Sequence, residues 1–444
     1  MLLEFKANNY KSFRDELIFS MIPAPKQKGL DYSILKKKIG RREYKGLSAA
    51  VIYGANASGK SNIISAMDTF KAIILRGNIK NDEGKTDPNA AASVLELIPN
   101  NSNNEPQPVS FGIKFIIDEL LVEYTISLEM GCFLDTEYTR RILSECLKVN
   151  EKEIFSRSDK LNMGKLDVIK EYLVNALAEN VGFNSANSLA QSSLNDKELF
   201  LMNGFKTMFS SKLVSVISEW FENKFIVVYR TDAVSTIRKF TDMHKNFIYV
   251  EKTLNEAAKQ FGVNSNAVGY IVEGNEGKAR LYSLFDSGGK KESKGVPAKL
   301  FESYGTIRFI NIFPLIAKAL LTGGTLVADE FDASIHPMAL MSIVNVFHND
   351  DINIHRAQLV FNTHNPIFLN SNLFRRDEIK FVERDDETHI STHYSLADFG
   401  TVSKNSARKE GDYMKNYFVD RYGAIRDIDL APVFESLISG GKDG

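Results

Sequence analysis

Gly54-Ala55-Asn56-Ala57-Ser58-Gly59-Lys60-Ser61 fits the phosphate-loop pattern, in which two glycines bracket four residues and Lys-Ser follows. The run before it, Leu47 to Tyr53, is small and apolar, the composition of a buried strand. The run after it, Asn62 to Phe70, has helical spacing. Strand, glycine loop and helix is the context in which the pattern has chemical meaning. Glycines let successive N–H groups turn inward around an anion, and the helix N-terminus adds the positive end of its dipole. In that geometry the backbone from Gly54 to Asn62 wraps a nucleotide's phosphates. Lys60 reaches the β- and γ-phosphates, and Ser61 offers its hydroxyl to Mg²⁺.

The chain has 444 residues, more than one apolar core usually supports, so two lobes are expected. Its formal net charge of −1 provides no global field to recruit nucleic acid. Basic character is local, in Lys36-Lys37-Lys38 with Arg41-Arg42 and in Lys290-Lys291 with Lys294. Such clusters read as solvated faces, and contact with DNA stays open. Two cysteines, Cys132 and Cys146, exclude a disulfide framework and a multi-cysteine metal site. No uncharged apolar stretch is long enough to span a bilayer, and Met1 to Lys6 carries charge too early for a signal peptide. The expectation is a cytoplasmic protein with no membrane partner.

Along the chain, Leu2 to Ala7 and Glu16 to Met21 read as strands, with Pro23 and Pro25 ending the second. Gly77 to Ala91 and Asn100 to Pro108 read as polar loops. Val109–Ile117 and Leu121–Leu128, separated by Asp118-Glu119, carry a hairpin signature. Strand character continues from Thr136 to Val149. From about Lys165 to Gln260 the spacing turns helical, with Val168, Tyr172, Leu173 and Ala176 and then Leu213, Val216, Ile217 and Trp220 on repeating faces. No sustained heptad is present, so a long coiled coil is not expected. A second hairpin flanks Glu273 to Gly277, a glycine-lysine loop runs from Asp286 to Gly295, and Pro297 opens a helix. The predicted fold class is α/β, a P-loop ATPase head with a mixed sheet. Residues 1–150 and 266–444 form the head, and 151–265 form an inserted, mainly helical lobe.

The second half supplies the companion of the phosphate loop. Thr325 to Ala328 is an apolar strand that ends in Asp329-Glu330. The first acid belongs in the Mg²⁺ shell, and the second polarises the attacking water. Gln358 to Phe361 is a further apolar strand that leads into Asn362-Thr363-His364. His364 at a carboxyl end, where ligands bind in parallel sheets, is placed to contact a γ-phosphate.

With these residues in view, the chain resembles the SMC-like, ABC-type "AAA family" ATPases of bacterial anti-phage and abortive-infection systems, of the Abi-L and RloA type. More distantly, it resembles the ATPase half of the OLD nucleases. The resemblance rests on Lys11-Ser12-Phe13 after the first strand, Glu302-Ser303-Tyr304-Gly305-Thr306 as a degenerate signature, and Asp332-Ala333-Ser334-Ile335-His336-Pro337 as the D-loop and its turn. Thr363-His364 matches the histidine switch, and Tyr422-Gly423-Ala424-Ile425 a late hallmark, with Arg426 where a proline is common. It covers about Met1 to Cys146 and Leu281 to Ile425. The resemblance implies ATP and Mg²⁺ as cofactors and Glu330 and His364 as catalytic. It also implies a homo-oligomer in which Ser303 and Gly305 of one copy close over nucleotide held by another, with Asp332 and Ser334 nearby. A separately encoded effector, often a Toprim nuclease, and a phage-encoded trigger are further implied partners. About 80 residues follow His364, too few for an appended Toprim domain. The family's glutamine loop is not evident, since Gln107 sits between two prolines. Two other readings stay open, a DNA-maintenance clamp and a nucleotide-gated scaffold with slow turnover.

Overall fold

The computed structural model describes residues 1–25, 27, 29–80, 95–103, 105–135, 138–174, 177, 182–229, 248–273, 278–286, 293–399, 411–426 and 428–440. The chain enters through β1 (Leu2–Asn8) and β2 (Leu17–Ser20), makes a ribbon of β3 (Ile34–Ile39) and β4 (Arg42–Leu47), and reaches β5 (Ala49–Tyr53) and α1 (Lys60–Arg76). A meander follows, β6 (Val109–Ile117), β7 (Leu120–Glu129), β8 (Arg141–Val149), β9 (Lys152–Arg157) and β10 (Leu161–Met163). Then come α2 (Phe183–Ser192), α3 (Ser211–Glu219), β11 (Phe225–Val228), β12 (Ile248–Tyr249), α4 (Lys252–Phe261), β13 (Ala267–Glu273), β14 (Lys278–Asp286) and β15 (Ser293–Pro297). The chain closes with α5 (Tyr304–Thr322), β16 (Thr325–Ala328), α6 (Pro337–His348), β17 (Gln358–Asn362), β18 (Ile379–Arg384), β19 (Ser391–Ser395), α7 (Tyr413–Phe418) and α8 (Ala431–Gly440).

The organising sheet has the order β11-β16-β17-β5-β18-β19. Its strands are parallel except β19, which runs antiparallel to β18. Every residue of β5, β16 and β17 is buried, as expected for parallel strands covered on both faces. Alternation then divides them between two cores. Ala50 and Ile52 face one with Val327, Val360 and Val382, while Ala49, Val51 and Tyr53 face the other with Leu326, Leu359 and Phe381.

The first core holds α1, which buries Ile63, Ile64, Met67, Phe70, Ile73 and Ile74 at helical spacing. Beyond it lies a seven-stranded sheet of order β10-β9-β8-β7-β6-β1-β2. The second core is covered in part by α5, through Ile312, Ile316 and Ala319, and by α6, through Leu340, Val344 and Phe347. Gln358 joins the layers. It is fully buried, donates to Leu2 O and Leu47 O at 3.0 and 2.8 Å, and accepts from Thr325 Oγ1 at 2.9 Å. The α/β class with a mixed sheet, read from the sequence, is the architecture observed.

The segment 151–265 differs in detail from a wholly helical insert. β9 and β10 extend the seven-stranded sheet, and β11 is the parallel edge of the organising sheet, pairing Phe225–Val228 with Thr325–Ala328. A four-residue apolar run carries too few residues to tell strand from helix by periodicity. The helices between share the first core. Trp220 stacks on Phe115 and Phe225, with ring centroids 3.9 and 4.8 Å apart. The second hairpin forms as β13 and β14, within a four-stranded sheet of order β12-β13-β14-β15. The polar stretch at 81–91 and the cations Lys290 and Lys291 lie outside the described residues. By length and composition α5 could cross a bilayer, but it carries Arg308 and Lys318 and packs Ile312, Ile316 and Ala319 into the second core.

Candidate functional site

The phosphate loop joins β5 to α1 at the carboxyl ends of the parallel strands. Its glycines answer to specific approaches. A Cβ at Gly54 would lie 2.3 Å from Val382 O, and one at Gly59, whose φ is +109°, would lie 2.7 Å from both Ser12 Oγ and Ser391 Oγ. Ala57 also takes a positive φ of 61°, a costly conformation for a non-glycine residue and one often found at functional loops. Lys60 is buried and donates to Gly54 O and Ala55 O at 2.8 and 2.9 Å. Burial pulls its pKa down to about 8, against the opposing fields of Asp329, Glu330 and Asp332. Asn62 donates through Nδ2 to Ser12 Oγ at 2.7 Å. Ser58 Oγ is buried with no hydrogen-bond partner among the described residues.

The acidic strand end meets this loop. Ser61 Oγ donates to Asp329 Oδ1 at 2.9 Å, a contact between residues 268 positions apart in the chain. β17 lies between their two strands. Its last residue, Asn362, bridges the acids: Nδ2 donates to Asp329 Oδ1 at 2.5 Å, and Oδ1 accepts from Glu330 N. The Glu330 side chain is exposed and its backbone takes φ +46°. Arg308, from α5, donates to Glu330 O. Asp332 accepts from Thr363 Oγ1 at 2.5 Å. His364 is exposed, and partial desolvation and the charge of Lys60 lower its pKa against the pull of Asp332, Glu330 and Asp329. Lys60, Ser61, Asp329, Glu330, Asp332 and His364 are thus brought together, beyond the carboxyl ends of three strands of one sheet, β5, β16 and β17.

Ser303 and Gly305 sit at the start of α5. Ser303 is its N-cap, accepting from Thr306 N at 3.1 Å. A Cβ at Gly305 would lie 2.1 Å from Ser334 O, so only glycine lets the helix start rest on the D-loop, where Ser334 itself takes φ +63°. Glu302 is buried, and its carboxylate accepts from Asn264 N, Ser265 Oγ and Ser283 Oγ at 2.8–3.0 Å. It fastens the start of α5 to the four-stranded sheet.

Several supporting contacts escaped the sequence reading. Lys11 Nζ donates to Ser65 Oγ at 2.6 Å and to Glu96 Oε2 at 2.5 Å, and Tyr10 OH contacts Ser65 and Thr69. These bonds hold the second and third turns of α1. Ser391 N donates to Ser12 O and Ser391 Oγ to Ser58 O, at 2.7 and 2.6 Å. Asn362 directly precedes Thr363-His364, but its bridge to the acids depends on which strand lies beside β17, and Ser391 carries no local motif at all. Gln107 is exposed and uses its carbonyl to accept from Asn9 Nδ2 at 2.7 Å. The late hallmark lies beside the loop: Ala424, Ile425 and Arg426 line, with Asn56, Ala57 and Ser58, a cleft of about 170 Å³.

No curated protein matches the chain. Among solved structures, the SMC head domain from Thermotoga maritima overlaps 89% of this chain and 98% of its own length, at 11% identity and a TM-score of 0.34, a likeness too loose to bear on function. A family model described as an AAA domain of AbiEii toxin type, from type IV TA systems, matches residues 49–370. That span takes in the phosphate loop, Ser303 and Gly305, the acidic strand and His364, and the chain belongs to this AAA-domain family.

Proposed function

We propose that the chain binds ATP at the phosphate loop and hydrolyses it to ADP and phosphate, with two copies closing over shared sites. The observation that carries this reading is the 2.9 Å contact between Ser61 Oγ and Asp329 Oδ1, with Lys60 held in the field of the same acids. A hydroxyl and a carboxylate meeting beside a cradle of backbone N–H groups form the oxygen donor set of a hard cation. Ser61 and Asp329 would hold Mg²⁺, which when bound neutralises charge on the phosphate oxygens. Lys60 would exchange its two carbonyl partners for phosphate oxygens. Glu330, exposed at the strand end, would accept a proton from the attacking water, and Asn362 would fix its backbone. His364, kept neutral by partial desolvation and by Lys60, would donate a hydrogen bond to the γ-phosphate.

Ser303 and the N–H groups near Gly305 would meet the γ-phosphate bound in the partner copy, as a helix N-terminus favours. Asp332 and Ser334 would lie at the same junction. ATP would then act as a switch whose closed state is read by a separately encoded effector, possessing nuclease chemistry of the Toprim class, in a cytoplasmic defence system answering a phage-encoded trigger. Phe221, just past α3, meets Phe70 of α1 edge to face, and the helices within 151–265 would carry the change outward. The intact Glu330 favours turnover over a passive scaffold.

Glu330→Gln tests this reading. The variant is expected to bind ATP, hydrolyse it at least about a hundredfold more slowly, and accumulate as a dimer in light scattering only when ATP and Mg²⁺ are present. Wild-type turnover in that variant would remove Glu330 as the base. A scattering mass unchanged by ATP would remove the paired state.

A further inference from the structure

We propose a second anion site, built for a phosphate group, at the amino ends of β11, β16 and β17, the end of the organising sheet opposite the phosphate loop. It is independent of the ATPase reading. Lys37, Lys224, His355 and Arg356 line one cavity of about 240 Å³, in which Asp118 is the single carboxylate. The ion pairs among the described residues include none from Lys37, Lys224, Arg356 or Asp118. Arg356 also borders a second cleft of about 280 Å³ with Lys36, where Asp31 and Asp350 balance the two cations, so the uncompensated positive charge lies in the first cavity.

The backbone that carries the cations is fixed before anything binds. A Cβ at Gly323, whose φ is +65°, would lie 2.2 Å from His355 O, and one at Gly324 would lie 2.7 Å from Lys224 O. Three loops therefore converge where only glycine allows it. The loop that carries Arg356 is pinned by buried Asn353, which donates to Phe347 O and Ala357 O at 2.8 and 2.9 Å and accepts from Ala357 N at 2.6 Å. Arg356 itself takes φ +61°. With the backbone already fixed, only side-chain freedom is lost on binding. Two ammonium groups and one guanidinium fork around a roomy cavity suit a multiply charged, tetrahedral anion with acceptor oxygens on every side. A free phosphate gathers that charge on one phosphorus, and a nucleic acid offers it as successive singly charged phosphodiesters.

The test uses the full chain with Lys60→Ala, which silences the phosphate loop. Sodium phosphate is titrated while the thermal unfolding midpoint is followed, and a single-stranded oligonucleotide of about 20 residues is titrated by fluorescence anisotropy. Phosphate is expected to raise the midpoint, and Lys224→Ala with Arg356→Ala to weaken the effect by about tenfold or more in Kd. Because those cations repel one another, the double variant is expected to melt no lower than its parent in phosphate-free buffer. Lys37→Gln, which alters one half-buried side chain, gives the same readout with the least disturbance. Anisotropy that phosphate competes away identifies the phosphodiester as ligand, and a phosphate shift without anisotropy identifies the free anion. The proposal is overturned by a parent that responds to neither probe, or by variants that respond as the parent does.

Discussion

Replacing Asn362 with Ala tests how the acids are held. Asn362 is fully buried and makes one bond to a carboxylate, Asp329 Oδ1, and one from a backbone amide, Glu330 N. The bond to a charged group contributes about 1.5–3 kcal/mol and the amide bond about 0.5–1.5 kcal/mol. Removing both therefore forfeits about 2–4.5 kcal/mol of positioning. If that loss falls wholly on the transition state, turnover drops by roughly thirtyfold to two-thousandfold. Lys60 and the loop amides are untouched, so ATP binding is expected to change by less than about threefold. The assay is steady-state phosphate release with a parallel ATP titration. Asn362→Asp is the companion variant. It keeps the shape but sets a carboxylate against Asp329, and its loss is expected to be larger. Turnover within about threefold of wild type in Asn362→Ala would mean that this bridge does not position the chemistry, and the reasoning fails.

Two further outcomes follow from the same geometry. Ser303→Arg is expected to leave ATP binding intact and to abolish turnover, and mixing it with Lys60→Ala is expected to restore part of the rate, because each mixed pair holds one complete site; mixed samples with no recovered rate argue against shared sites. ATP affinity is expected to depend on pH through Lys60, whose ammonium is pulled by burial to about 8 in the free protein. Phosphate binds the protonated form and raises that pKa, so affinity is full below about pH 8 and falls by roughly tenfold per unit above it. Lys60→Arg keeps its charge throughout and is expected to show no such slope in isothermal titration.

The phosphate loop was legible because its work is local. Eight consecutive residues set both the backbone path and the lysine, and the flanking strand and helix announce themselves by composition. The acidic strand was legible for the same reason. The capping role of Ser303 could also be read, since Ser three residues before Thr306 is a local arrangement. What could not be read depends on which strand lies beside which. Asn362 matters only because β17 is placed between β5 and β16, and Gln358 only because the two sheets meet over it. Phe225–Val228 reads equally as helix or strand until Thr325–Ala328 is set next to it. Glu302 reads as a signature residue, yet its carboxylate is consumed in holding the four-stranded sheet through Asn264, Ser265 and Ser283. Lys11 reads as part of a short motif, and its role in clamping α1 through Ser65 and Glu96 emerges only in three dimensions.

The central claim is that Lys60 and Ser61, from one end of the chain, and Asp329 and Glu330, from the other, act on one triphosphate. The most direct measurement is ATP binding and phosphate release by the purified full chain, wild type beside Lys60→Ala and Asp329→Asn, with Mg²⁺ present and then chelated. The account expects wild-type binding and turnover that need Mg²⁺, no measurable binding in Lys60→Ala, and binding without Mg²⁺-dependent turnover in Asp329→Asn. Undiminished nucleotide binding in Lys60→Ala, or turnover in Asp329→Asn equal to wild type, would contradict it.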